Sequence, residues 1–249
     1  MLLENKAAAI YGAGGSIGGA VAHAFAREGA KVFLAGRTQA SLDKVANEIR
    51  SKGGTAEVAV VDALDEQAVD KYIDGIVKKA GYIDISFNLI SIGDVQKPLL
   101  ELSVGDFMQP IMNAMRTQFL TTRAAARHML KRKTGVILHF GGGGPQTQVS
   151  LGGFKIALDG LEGLRRQWAV ELGPHGIRVV TLKTGGIPES IPEDFPGRDE
   201  IIDNLLPPTL LNRTATLSDV GNVAAFIASD QARTMTSTEV NISCGAIVD

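Results

Sequence analysis

A short apolar segment near the N-terminus is followed by the glycine-rich run Gly12-Ala13-Gly14-Gly15-Ser16-Ile17-Gly18-Gly19, and then by an alanine-rich stretch without proline. Glycines let the backbone approach a pyrophosphate closely, and the free N–H groups and dipole of a following helix stabilise its negative charge. Strand, glycines and helix in this order therefore predict a dinucleotide-binding turn. A tight turn that binds no ligand is the alternative.

The elements that must position this turn alternate along the whole chain. Apolar runs predict strands at 7–11, 31–35, 55–61, 83–89, 135–140, 177–182 and 239–242. Helical periodicity predicts helices at 17–28, 39–52, 66–80, 104–132, 153–172 and 218–229. Strands that alternate with helices are typical of repeated βαβ units. We therefore predict one α/β domain over residues 1–249: a Rossmann-type, doubly wound, seven-stranded parallel sheet with helices on both faces.

Residues 185–208 fit neither pattern, because they contain five prolines and several acidic residues. A connection of this length inside a compact domain is usually functional. It also follows the carboxyl end of a predicted strand, where open α/β sheets bind ligands. We predict that it is a substrate lid.

Composition limits the class of partner and the compartment. A formal net charge of −2, with mixed signs, provides no basic surface for nucleic acid or an anionic membrane. A single cysteine, Cys244, excludes an internal disulfide and a cysteine-rich metal site. The N-terminal apolar run is too short for a signal peptide or a membrane span. These features predict a cytoplasmic protein with a small-molecule substrate, no metal, no nucleic-acid partner and no membrane partner.

The glycine-rich turn resembles that of the short-chain dehydrogenase/reductase family, which reads Gly-x-x-x-Gly-x-Gly; Gly12 and Gly18 match its outer glycines, and Ser16 replaces the middle one. The resemblance covers nearly the whole chain. It implies a nicotinamide dinucleotide that also contacts Asp62 and Ala63 near its adenine and Ile187 near its carboxamide. The full set of residues expected to bind it is Gly12, Gly14, Gly15, Ser16, Ile17, Gly18, Arg37, Thr38, Asp62, Ala63, Asn88, Lys155, Gly185 and Ile187.

The choice between NAD(H) and NADP(H) depends on the end of the second strand, where an NAD enzyme needs a carboxylate for the ribose 2′-hydroxyl. This chain has Gly36-Arg37-Thr38 there. The Arg37 guanidinium can form charge-assisted hydrogen bonds with a 2′-phosphate or stack on adenine. NADP(H) is therefore favoured and NAD(H) remains possible. The alternative interpretation of Arg37 is a solvated loop arginine that binds no dinucleotide.

The family's catalytic Tyr-x-x-x-Lys places both side chains on one helical face, so that the ammonium lowers the pKa of the phenol. We match Lys155 to the family lysine, where it would also hold the nicotinamide ribose. The residue four positions earlier is then Leu151, so the phenol is absent. Glycines after Phe140 occupy the place of the family serine. The fourth-helix asparagine is matched by Ala114, with Asn113 one position early.

Other groups near this segment could take part in proton transfer. Ser150, with Thr147 and Gln148, lies close in sequence to the expected site. A histidine side chain ordinarily titrates near neutrality, which makes His139 a candidate, although a histidine in an apolar strand is more often a neutral core residue. Ser150 and His139 are therefore weak catalytic candidates beside Lys155.

These residues lead to two hypotheses. The first is an NADP(H)-dependent oxidoreductase that reduces a carbonyl or an activated C=C with a non-standard proton donor, because water can protonate the product of hydride addition to a conjugated system. The second is a catalytically inactive NADP(H)-binding protein, a sensor or structural subunit. The resemblance also implies a homodimer or homotetramer built on the fourth and fifth helices.

Overall fold

The computed structural model describes residues 1–93, 95–141, 147–195 and 197–248. Within them, the strands are β1 (Ala7–Tyr11), β2 (Lys31–Gly36), β3 (Thr55–Val60), β4 (Ile85–Asn88), β5 (Gly135–Gly141), β6 (Ile177–Lys183) and β7 (Thr238–Asn241). The α-helices are α1 (Ser16–Arg27), α2 (Gln39–Ser51), α3 (Glu66–Ala80), α4 (Val104–Arg132), α5 (Gly152–Leu172), α6 (Arg198–Leu205) and α7 (Leu217–Ala228).

All seven strands form one parallel sheet in the order β3-β2-β1-β4-β5-β6-β7. The order reverses between β1 and β4, and this is the switch point where open α/β sheets form a ligand crevice at the carboxyl ends of the strands. The predicted doubly wound, seven-stranded fold is confirmed.

The core has two layers because the sheet is covered on both faces. In β1, Ala8 and Ile10 face one layer, which α1, α2 and α7 cover, whereas Ala9 and Tyr11 face the other, which α3, α4 and α5 cover. Strands buried on both faces read as continuous apolar runs. This explains why the strands could be located from sequence without an alternating pattern.

The predicted boundaries agree with the structure to within two residues. The largest difference is at β4, which begins at Ile85. The preceding Asp84 carboxylate accepts a hydrogen bond from the Ala7 N–H at 2.8 Å and forms an ion pair with Arg132 at 2.9 Å. The prediction that residues 185–208 contain no regular structure was wrong. They include a 3-10 turn, Pro188–Ser190, and the helix α6.

The helix α6 was missed for a physical reason. It has only eight residues and none of them is buried, so its few apolar side chains are too short a run to establish a helical period. Pro196, within the predicted lid, lies outside the described residues. Among the helices that the structure describes, none is long and apolar enough to cross a membrane.

Candidate functional site

A cleft of about 600 Å³ opens at the carboxyl edge of the sheet, above β1, β4, β5 and β6. Five segments contribute to it: the β1–α1 turn, the segment after β4, the end of β5, the first turns of α5, and the segment after β6. Its lining comprises Gly12, Gly15, Ser16, Ile17, Gly18, Asn88, Leu89, Ile90, Ser91, Ile92, Gly93, Phe140, Gly141, Phe154, Leu158, Leu161, Thr184, Gly186 and Ser190.

The glycine-rich turn has no room for side chains. Gly12 has a φ of 74°, in the left-handed region, and a Cβ there would lie 2.5 Å from the Leu89 carbonyl oxygen. A Cβ on Gly18 would lie 2.2 Å from the Gly12 carbonyl oxygen. Gly14 is different, because its Cβ would meet the Ser41 side chain of α2 at 2.4 Å rather than the cleft. The turn therefore packs backbone on backbone, as a close approach to a pyrophosphate requires.

The start of α1 supplies the hydrogen-bond donors of this cradle. Gly15 is the N-cap, with no side chain to satisfy the first N–H groups, and there is no acidic residue in the first turn. Ser16, Ile17 and Gly18 follow it and line the cleft. Unsatisfied N–H groups at a helix N-terminus bind anions. The cradle fits a pyrophosphate.

The residues predicted to choose between the two dinucleotides, and those expected near the adenine, follow adjacent strands. Arg37 and Thr38 follow β2, and both are exposed; Thr38 is the N-cap of α2. Asp62 and Ala63 follow β3, beside them, because the Val61 N–H donates to the Gly36 carbonyl oxygen at 2.9 Å. The exposed Asp62 carboxylate accepts the Leu64 N–H at 3.0 Å, and Ala63 is buried. These residues flank the cleft without forming its described lining.

Asn88 lies at the end of β4 and is buried. Its side-chain amide donates to Thr117 Oγ1 at 3.2 Å and lies 3.5 Å from Thr121 Oγ1, both on α4. Its Oδ1 accepts the Ile90 N–H at 3.0 Å. Asn88 therefore joins β4, α4 and the segment that follows β4 along the cleft.

The segment after β6 forms the opposite wall. Thr184 and Gly186 line the cleft, and Gly186 has a φ of 114°. Gly185 packs instead against the C-terminal segment, since its Cβ would lie 2.8 Å from the Ala246 Cβ. Ile187 is buried in the core. The segment is thus fixed on both sides by packing.

The structure shows which side chains of α5 line this cleft. Phe154 and Leu158, four residues apart, line the cleft. Lys155 lines a separate cavity of about 520 Å³ together with Ser150, and its Nζ lies 2.6 Å from Asp159 Oδ1. Leu151 precedes the first turn of the helix. Leu151 and Lys155 were expected to line the cleft. The pair from α5 that lines it is instead Phe154 and Leu158.

Comparison with known proteins agrees with this architecture. The model of a family described as "Enoyl-(Acyl carrier protein) reductase" matches residues 12–246. The chain belongs to the short-chain dehydrogenase/reductase family. It is 30% identical to versicolorin reductase of Emericella nidulans, over 98% of this chain and 96% of the relative. It is 26% identical to the 3-oxoacyl-[acyl-carrier-protein] reductase of Thermotoga maritima, over 100% of both chains.

A solved structure of levodione reductase has the same fold, with a TM-score of 0.90, 24% sequence identity and 98% of each chain covered. In this chain the α5 side chains that line the cleft include the apolar pair Phe154 and Leu158. Residues 142–144, where glycines stand in place of the family serine, lie outside the described residues.

His139 does not reach the cleft of this family member. It is fully buried in β5, and neither ring nitrogen has a hydrogen-bond partner among the described residues. Burial, with a smaller contribution from the positive charge of Arg165, lowers the pKa of His139 from 6.5 to about 3. The ring is therefore neutral at neutral pH, which agrees with the interpretation of His139 as a core residue rather than with its weaker candidacy for catalysis.

A buried polar cluster beside His139 was not predicted from sequence. Arg165 Nε donates to Glu162 Oε2 at 2.7 Å, and Thr181 Oγ1 donates to Glu162 Oε1 at 2.6 Å. Burial raises the pKa of Glu162 above its usual value, while these two hydrogen bonds oppose the shift. The cluster joins α5 to β6. The sequence signal was a glutamate and an arginine three residues apart, which also occurs on solvent-exposed helical faces.

Asn113 and Ala114 differ in what they contact. Ala114 is buried and has no polar side chain, whereas Asn113 Nδ2 donates to the Ile92 carbonyl oxygen at 2.9 Å. Because Ile92 lines the cleft, Asn113 holds the segment after β4 against α4. The Asn113 side chain therefore positions the segment after β4 and is not itself part of the described lining of the cleft.

Proposed function

We propose that this chain is an NADP(H)-dependent reductase that reduces a carbonyl or an activated C=C without a tyrosine–lysine proton donor. The observation that carries the proposal is the pair Phe154 and Leu158, whose side chains line the cleft that the glycine-rich turn also lines. A phenylalanine and a leucine keep the cleft's shape and remove its general acid. The function therefore depends on positioning two reactants in an apolar cleft.

The dinucleotide would be held at both ends of this cleft. The N–H groups after Gly15 bind the pyrophosphate, and the exposed Arg37 binds the 2′-phosphate, with Asp62 and Ala63 near the adenine. Ile187 offers its backbone to the carboxamide of the nicotinamide, which supplies a hydride when bound. NAD(H) is the alternative, since no contact at Arg37 excludes it.

The proton has a different source from that in the family pattern. Among the described residues that line the cleft there is no tyrosine, lysine or histidine. Hydroxyl groups come from Ser16, Ser91, Thr184 and Ser190, and these side chains are poor acids. Water is therefore the proton source. This favours an activated C=C over a simple ketone, because the carbonyl oxygen of a simple ketone needs an acid during hydride addition.

The names of relatives, which include both dehydrogenases and reductases, support oxidoreductase chemistry. The matching family model is described as an enoyl reductase, and an enoyl group is an activated C=C. Versicolorin reductase and a 3-oxoacyl reductase are among the relatives.

Residues 185–208 act as the lid in this proposal. Leu205 of α6 rests on the cleft wall, because a Cβ on Gly186 would lie 2.5 Å from a Leu205 methyl group. The chain works as one domain over residues 1–249, as a homodimer or homotetramer in the cytoplasm. It takes a small-molecule substrate and no nucleic-acid or membrane partner.

The test measures binding first and turnover second. Calorimetry with NADPH and NADH establishes which dinucleotide binds; NADPH oxidation is then followed with enones, quinones and simple ketones. We expect turnover with enones or quinones and little with simple ketones. Gly12→Val, whose side chain would meet the Leu89 carbonyl oxygen, is the control that should bind neither dinucleotide. Binding without oxidation by any acceptor would favour the inactive NADP(H)-binding protein.

A further inference from the structure

The substrate half of the cleft is apolar on several sides. Its wall combines the segment after β4, the end of β5 and the first turns of α5. The apolar side chains of this wall are Leu89, Ile90, Ile92, Phe140, Phe154, Leu158 and Leu161. In the described lining of the whole cleft there is no aspartate, glutamate, lysine, arginine, histidine, tyrosine or cysteine.

The polar groups of the lining are uncharged, and some are already engaged. Asn88 contacts Thr117 and the Ile90 N–H, and Ser190 Oγ donates to the Ile187 carbonyl oxygen at 2.7 Å. Ser91 and Thr184 add hydroxyl groups on the two sides of the cleft. A hydroxyl can donate to a carbonyl oxygen, but it does not neutralise a carboxylate.

Charge therefore decides which substrate can enter. Moving a carboxylate or phosphate from water into an apolar pocket is strongly unfavourable unless a cation pairs with it. The helix N-terminus at Gly15 is the anion site of this cleft, and in the proposed function the pyrophosphate occupies it. A second anion would have no partner along the wall formed by Phe154 and Leu158.

We infer that the site selects an uncharged, predominantly apolar, conjugated carbonyl compound, such as an aryl enone, and rejects its anionic counterparts. The apolar body packs on Phe154 and Leu158, and the carbonyl oxygen accepts a hydrogen bond from Ser91 or Thr184. This inference rests on the proposed function for the choice of an unsaturated carbonyl. The selection by charge rests on the lining itself.

The test uses a matched pair of ligands that differ by one carboxylate: benzylideneacetone and its para-carboxylate derivative. Calorimetry measures the binding of each to protein saturated with oxidised dinucleotide, NADP⁺ or NAD⁺, whichever binds more tightly. We expect the neutral ligand to bind roughly tenfold or more tightly than the anion, because the anion is buried without a partner. Equal binding, tighter binding of the anion, or no binding of the neutral ligand would overturn the inference.

Variants test whether the α5 wall makes the selection. Leu158 is half-buried, so Leu158→Lys adds a cation to the cleft at an accessible position, and we expect the preference to shrink or reverse. Ile156→Lys is the matched control, because Ile156 lines the separate cavity beside Lys155 and should leave the preference unchanged. If Leu158→Lys does not fold, Ile92→Lys adds the same charge from the segment after β4. An unchanged preference in the folded wall variant would contradict the inference.

Binding and turnover separate the two proposals. The calorimetric comparison uses oxidised dinucleotide and measures no reduction. A protein that binds the neutral enone selectively but never reduces it would retain the inference on substrate charge and refute the proposed reductase. A reductase that accepts both members of the pair equally would retain the proposed reductase and refute the inference on substrate charge.

Discussion

Gly153, in the first turn of α5, packs directly against the carbonyl oxygen of Phe107 in α4: a Cβ on residue 153 would lie 2.1 Å from that oxygen. The two helices therefore meet backbone to backbone at this point. This contact fixes the rotation of α5 about its axis and directs Phe154 and Leu158 into the cleft. Lys155, the residue after Phe154, then lines the other cavity.

The first prediction tests this contact. Gly153→Ala should destabilise the protein by about 1–3 kcal/mol, because the added methyl group forces α5 away from the Phe107 carbonyl. Gly163→Ala is the matched control on the same helix, since a Cβ there meets nothing within 4 Å. It should stabilise the protein by about 1 kcal/mol through helix propensity. Urea unfolding measures both, and equal effects would show that the contact does not constrain α5.

The second prediction concerns the catalytic face. Phe154→Tyr combined with Leu158→Lys places a phenol and an ammonium four residues apart in the cleft. It should raise reduction of simple carbonyls, on the scale of about 10²–10⁴-fold that a positioned general acid supplies. Leu151→Tyr should give no such gain, because residue 151 precedes the helix and neither it nor Lys155 is in the described lining of the cleft.

Steady-state NADPH oxidation with aldehydes, ketones and quinones compares the two variants, with dinucleotide affinity measured separately. A gain in Leu151→Tyr of roughly a hundredfold, the size expected of a general acid, would mean that the Leu151–Lys155 face is the catalytic one. In that case the assignment of the cleft wall to Phe154 and Leu158 is wrong.

The third prediction concerns the choice of dinucleotide. Arg37→Asp should weaken NADPH binding by roughly 10- to 100-fold more than NADH binding, because it replaces a charge-assisted partner of the 2′-phosphate with a like charge. Lys52→Asp makes the same charge change at the other end of α2 and should affect neither dinucleotide. Calorimetric titration of both variants is the measurement. Equal losses for NADPH and NADH in Arg37→Asp would refute the NADP(H) assignment.

The fourth prediction concerns the pH dependence of stability. Burial lowers the pKa of His139 to about 3 in the folded protein, below its usual 6.5. Between these two values the unfolded chain binds a proton that the folded chain does not. The contribution of His139 is therefore fully present above pH 6.5 and is lost as the pH falls towards 3, with a slope of up to about 1.4 kcal/mol per pH unit.

Urea unfolding at several pH values between 4 and 7 should thus show a shallower loss of stability in His139→Phe than in the unsubstituted protein. His175→Gln removes an exposed histidine and should leave the slope unchanged. Identical slopes for the unsubstituted protein and His139→Phe would show that His139 does not titrate on unfolding.

The sequence by itself determined the fold and the dinucleotide cradle, because both depend on local patterns. Apolar runs placed the strands, and the alternation with helices required a parallel sheet. At Gly12 and Gly18 the backbone conformation and the packing leave no room for a Cβ. The glycines at these positions were therefore enough to predict the tight turn.

Only the tertiary structure decided which face of α5 meets the cleft. Two pairs satisfy the same four-residue spacing, Leu151 with Lys155 and Phe154 with Leu158, so helical periodicity cannot choose between them. The packing of Gly153 on Phe107 decides which face of α5 meets the cleft, and these two residues are 46 positions apart in the chain. The position of His139 beside Arg165 could not be predicted from sequence for the same reason. His139 lies in β5 and Arg165 in α5, and only the packing of this helix on this strand brings the two side chains together.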